Sequence, residues 1–193
     1  VMESVPDARI VDPLRFINGM PAAMTIGLVA AITILYNFIA GMILYLAMQV
    51  LLIYTFSGIV PLGLRDFNSG ESRGYYRTVA LLAFLVPGAL FCQVIYNGLQ
   101  SFVVVPYMLV LCAMALMTYA ALAVTDRPPL FRIAPAAAAT IFIASDLLVG
   151  YVAFNNPADK CYASISMTYI IALVLFNITI LFLRNKNGEY ILS

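Results

Sequence analysis

Histidine is absent from these 193 residues, and that absence closes off much of enzymology. Zinc, haem and non-haem iron sites of the usual histidine-containing kind are excluded, and so is a hydrolase triad that uses histidine as its base. The three cysteines, Cys92, Cys112 and Cys161, form no CxxC pair and no metal spacing. They read as small apolar fillers. No cofactor is called for. Charge is equally scarce. Only 10% of the residues are charged and 64% are hydrophobic, where a soluble domain carries about 25% charged residues. A net charge of +1 with no basic run gives no footprint for nucleic acid.

What fills the chain instead is apolar sequence in long runs, the signature of helices that cross a bilayer. Four runs are plain, at about Arg77–Tyr96, Phe102–Val124, Phe131–Phe154 and Tyr162–Leu183. The region from Ala22 to Leu64 carries no charge at all. As one helix it would be about 60 Å long, twice the thickness of a bilayer core. A hairpin fits better, with its turn near Tyr36–Gly41, where Asn37 and Gly41 suit a break.

Charge tests that count. With six spans, one side holds Arg9, Arg15, Arg65, Arg73, Arg77, Arg127, Arg132, Arg184 and Lys186, and the other holds Lys160. Merging the first two spans makes the split far more even, so the positive-inside rule favours six. Both termini then lie on the cytoplasmic side, or the matrix side of a mitochondrion. The opposite loops, at 39–41, 97–101 and 155–161, are short. The fold class expected is an all-α, polytopic transmembrane bundle. It forms one domain over residues 1–193, with polar tails at 1–21 and 184–193. Residues 1–20 lack an apolar signal core, and opening on Val leaves room for a presequence removed upstream. The membrane, whether bacterial inner, endoplasmic reticulum or mitochondrial inner, is left open.

Within the spans, Pro87 and Pro106 allow kinks, and Pro135 stands near the start of the fifth. Ala136 to Ala139, Ala144 and Gly150 let neighbouring helices approach closely, which marks the fifth span as the central helix.

One residue breaks the apolar pattern. In "IFIASDLLVG", residues 141–150, Asp146 lies well inside a span, and no Lys, Arg or His is available in any span to pair with it. Such placement costs about 2.5–3.5 kcal/mol on insertion scales. The side chain must be neutral, hydrogen-bonded, or in contact with a watery cavity. A buried acid of this kind suits a general acid or base, and equally a hydrogen bond that pins helices together. The polar side chains within reach of such a role are Ser145, Asn37, Gln49, Gln93, Thr168 and Asn177, with Tyr45, Tyr107 and Tyr169 as further candidates.

Three segments, "PYMLVLCAMALMTYAAL", "APAAAATIFIASDLLVGYVAF" and "MTYIIALVLFNITI", resemble the C-terminal half of the lysoplasmalogenases of the YhhN type. Ser145 and Asp146 match that family's S-D pair, Phe154 its later phenylalanine, and Thr168 with Tyr169 its T-Y pair. The resemblance implies hydrolysis of the vinyl-ether bond of lysoplasmalogens by an acid inside the membrane, with the lipid entering from the side. It also implies Asp146 as general acid, Ser145 and Gln49 orienting water or substrate, and Tyr107, Thr168 and Tyr169 toward substrate. The N-terminal half departs from the pattern. "GMILYLAMQVLL", Gly41 to Leu52, aligns with the helix that supplies the family's second aspartate, but Gln49 occupies that position. The family's histidine is missing, its glutamine in the T-Y helix falls at Leu173, and it usually has eight spans. Two carboxylates divide vinyl-ether hydrolysis naturally, and an amide cannot be the base. Three functions therefore compete. They are a lipid-ether hydrolase, a non-catalytic helical subunit packed against neighbouring membrane subunits, and a proton-linked carrier using Asp146. The partners expected are membrane lipids or other membrane subunits.

Overall fold

The computed structural model of the chain describes residues 13–59, 105–123, 128–155 and 162–182. It also describes the helical positions Arg77, Ala80, Leu81, Phe84, Leu85 and Gly88. The helices are α1 (Pro13–Tyr36), α2 (Phe38–Ser57), α3 (Val105–Ala120), α4 (Pro129–Asn155) and α5 (Tyr162–Leu181), and a 3-10 turn, Ala121–Ala123, follows α3. Four apolar helices are long enough to cross a membrane, within α1, α2, α4 and α5, and α3 is a shorter apolar helix. The protein is an integral, multi-pass, all-helical membrane protein. Most of the expected third span, Gln93, Cys92, Cys161 and the loop at 97–101 lie outside the described residues, as does 156–161.

The uncharged stretch from Ala22 to Leu64 does fold back on itself. The break falls at Asn37, so residues 39–41 belong to α2 rather than to a loop. Asn37 has extended backbone, and its side-chain oxygen accepts from the Ala40 N–H at 3.1 Å, a helix-capping bond that satisfies one orphan donor of α2. The reversal is tight enough to require glycine. A Cβ on Gly41 would lie 2.6 Å from Ile34 Cα, a backbone atom that cannot step aside. Further along, Gly27 faces Met48 and Gly19 faces Thr55. These pairings run in opposite directions on the two helices, which makes α1 and α2 an antiparallel hairpin. α1 itself begins at Pro13 and buries Phe16 and Met20, so the helix reaches into the segment set apart as a polar tail.

Each helix packs on its neighbours in the order α1–α2, α2–α3, α3–α4 and α4–α5, and α5 returns to α1. The described helices thus form a ring filled by side chains. α4 is the central helix in burial: 56% of its apolar window is buried, against 28% to 33% for the other long helices described. Its alanines explain this, since Ala138 and Ala139 are fully buried and let neighbours close in. One end of the ring is aromatic. Phe16 meets Phe56 edge-on at 5.5 Å and Phe131 at 5.8 Å, and Phe56 meets Phe176 at 6.5 Å. At that same end Arg132 donates from Nε and Nη2 to the Leu122 carbonyl at 2.8 and 2.6 Å, which locks the end of α3 to the start of α4. Cys112 is buried in α3, where it serves as packing.

Candidate intramembrane carboxyl site

Hydroxyls inside an apolar helix usually bond their own backbone. Thr55, Thr118 and Thr179, all fully buried, do so to Leu51, to Met114 and Ala115, and to Leu175. None of them needs another helix. Gln49, also fully buried, is different, because its Nε2 reaches from α2 to Asp146 Oδ2 on α4 at 3.4 Å. Tyr107, in the first turn of described α3, donates its hydroxyl to the same oxygen at 2.5 Å. That is a short O–H···O hydrogen bond. Three helices therefore converge on one carboxyl group. Both contacts fall on Oδ2.

The depth is as significant as the partners. At 1.5 Å per residue, Asp146 lies about 14 Å from the Asn155 end of α4, and Gln49 about 17 Å from the Phe38 end of α2. Half of a hydrocarbon core is about 15 Å, so the carboxyl sits near the bilayer midplane.

A layer of aromatic side chains closes the site. Tyr45, one turn before Gln49 on α2, packs edge-on against Tyr169 of α5 at 5.6 Å and against Phe142 of α4 at 6.1 Å, and Phe142 meets Tyr169 at 6.0 Å. Two polar atoms in this layer are buried without a hydrogen-bond partner, Gln49 Oε1 and Tyr169 Oη. Gly27 stands opposite Tyr169, where a Cβ would come within 2.8 Å of the hydroxyl.

The other candidates are spent elsewhere. Ser145 is buried beside Asp146, but its hydroxyl donates to the Ile165 carbonyl at 3.2 Å. Thr168 bonds Ser164 and the same Ile165 carbonyl, at 2.8 and 3.0 Å. Of these bonds, the one from Ser145 crosses from α4 to α5, and those of Thr168 stay within α5. Asn177 bonds back to Leu173 at 2.9 Å, and Asn37 caps α2 at the hairpin. Of the residues singled out in the sequence, the structure thus gathers Asp146, Gln49, Tyr107, Tyr169 and Tyr45. The residues missed were Phe142 and Gly27. A signal for Gly27 existed in its spacing from Gly19, two turns away on one face of α1.

No curated protein and no solved structure matches the chain. The model of the YhhN family matches it over residues 16–180, from the first turn of α1 to the last turn of α5, and so takes in every helix that contributes to the site. The chain is a member of the YhhN family.

Proposed function

We propose that this protein hydrolyses the vinyl-ether bond of lysoplasmalogen-type lipids, with Asp146 as the acid that protonates the alkene. The observation that carries the reading is the convergence of Gln49 and Tyr107 on Oδ2 of a carboxyl near the midplane. Protonating carbon is the difficult step, and a positioned general acid contributes about 10²- to 10⁴-fold. Tyr107 and Gln49 stabilise the carboxylate left after proton transfer, because their bonds strengthen as charge develops on the acceptor. Ser145 acts as a positioning residue that fixes α4 against α5.

The test is purified protein in lipid nanodiscs given a lysoplasmalogen, its saturated ether analogue and the matching lysophosphatidyl ester. The reading requires long-chain aldehyde from the first and no product from the other two. Ester cleavage, or no aldehyde, overturns it.

One observation favours a second reading. The contacts of Asp146 also join α2, α3 and α4 at one point, as a structural pin in a non-catalytic membrane subunit would. That reading expects Asp146→Asn, which keeps the hydrogen bonding, to leave stability and assembly with neighbouring subunits intact.

A further inference from the structure

We infer that the Asp146 carboxyl is served from one end of the bundle only, the end that holds Asn37 and Asn155, and that the protein takes its lipid and its water from the leaflet on that side. The chemistry rests on the function proposed above, and the sidedness stands on packing. α4 starts at the aromatic end, and Asp146 lies about 22 Å beyond Phe131 but about 14 Å from Asn155. Toward the aromatic end the interior is solid. The layer of Tyr45, Phe142 and Tyr169 lies on that side, where Phe142 precedes Asp146 by one turn of α4, and all three rings are buried. Met48 and Leu52, fully buried, fill the following turns of α2, and the ring cluster around Phe56 closes the floor. Toward the other end the packing stops at the level of the carboxyl. Among the described residues, none is buried on α1 beyond Ala30, on α3 before Tyr107 or on α5 before Tyr169. On α2 before Tyr45 only Gly41 is buried, and on α4 after Asp146 only Leu147 and Gly150 are. Asp146 itself keeps partial exposure, while Gln49 has none.

This asymmetry suits the reaction. Close-packed interiors hold few voids larger than a water molecule, so the two aromatic layers bar both water and a polar head group. An acid within the membrane is tolerated where it meets water or the bundle interior, and among the described helices the side of Asp146 without a packed layer is the Asn155 side. Hydrolysis consumes one water for each vinyl ether, so the site needs a wet route. In a lysoplasmalogen the vinyl ether joins the chain directly to glycerol, and the charged head group is only a few bonds away. A head group that does not pass the aromatic layers stays at the Asn155 end while the vinyl ether meets Asp146. The substrate is then a lysolipid of that leaflet, held with its head group toward Asn155. The same lipid in the opposite leaflet has to cross the bilayer before it is cleaved.

The experiment uses the full chain, with Cys92, Cys112 and Cys161 replaced, in lipid vesicles sorted by orientation. Single cysteines are placed at Val149, one turn beyond Asp146, and at Met48 and Ala139 on the packed side. A membrane-impermeant sulfonated thiosulfonate, which reacts with hydrated thiols, is added from each side in turn. Val149→Cys should react at least tenfold faster from the Asn155 side, and Met48→Cys and Ala139→Cys should stay unreacted from the aromatic-end side. Reaction of any of the three from the aromatic-end side, or no reaction of Val149→Cys from either side, overturns the inference. Val149→Cys decides alone if the other two fail to fold. A second arm reads turnover. Lysoplasmalogen added outside wild-type vesicles should give aldehyde at least tenfold faster where the Asn155 end faces out, and equal rates in the two orientations overturn the leaflet assignment. No aldehyde in either orientation, with the labelling as expected, sinks the hydrolase reading and leaves the one-sided access standing.

Discussion

At the scale of single residues, the site was legible where a side chain violates its surroundings. Asp146 stands out in an apolar run because its cost in hydrocarbon demands a reason, and Gln49 stands out by the same logic, as a long polar side chain that cannot satisfy itself on its own helix. Ser145 and Thr168 carry polar atoms too, yet their short hydroxyls settle on the Ile165 carbonyl, and composition alone does not separate the two cases. Tyr107 was ambiguous in the sequence, since tyrosines also mark membrane interfaces. Only the packing of α3 against α4 puts its hydroxyl on the carboxyl. Removing that hydroxyl in Tyr107→Phe costs a hydrogen bond to a charged group, worth about 1.5–3 kcal/mol. Aldehyde release should therefore fall by about 10- to 100-fold with little change in the apparent affinity for lipid, measured as kcat and KM separately. An equal fall in binding alone would assign Tyr107 to substrate contact.

At the scale of elements, the length argument located the hairpin and the glycines make it work. Gly41 abuts the Ile34 backbone, so Gly41→Ala forces the two helices apart. Overpacking of this kind costs about 1–3 kcal/mol. The expected result is a lower thermal midpoint in detergent and reduced aldehyde release, because α2 carries Gln49 and Tyr45. An unchanged midpoint would mean that the turn is looser than drawn. Arg132→Gln removes the donors that hold the Leu122 carbonyl at 2.8 and 2.6 Å. The prediction is faster proteolysis near residues 121–128, with the carboxyl site, at the other half of α4, still able to turn over substrate. The ends of the helices were less legible than their cores. α1 starts at Pro13 because Phe16 and Met20 are held in the aromatic end of the ring, a tertiary contact that no local pattern announces.

At the scale of the whole molecule, membrane residence and the all-helical class follow from the scarcity of charge, and family membership spans nearly all the described helices. The ring order does not follow from sequence, because closing α5 onto α1 depends on which faces find one another. The C-terminal turn of α2 carries Phe56 in the aromatic end, and α3 also ends there, where Arg132 holds Leu122, so the neighbouring helices α2 and α3 run parallel. Single cysteines in a background free of native ones test this orientation. Asn37→Cys should react with a membrane-impermeant maleimide from the non-cytoplasmic side, and Leu14→Cys only after permeabilisation. The reverse pattern would invert the topology.

The account as a whole turns on proton transfer from one carboxyl near the midplane. Its most direct measurement is the rate of aldehyde release from a lysoplasmalogen by purified wild-type protein and by Asp146→Asn, at matched folded concentration. The account predicts a fall of about 100-fold or more in the variant, since the amide keeps the shape and has no acidic proton to give. Equal rates in the two proteins would contradict it.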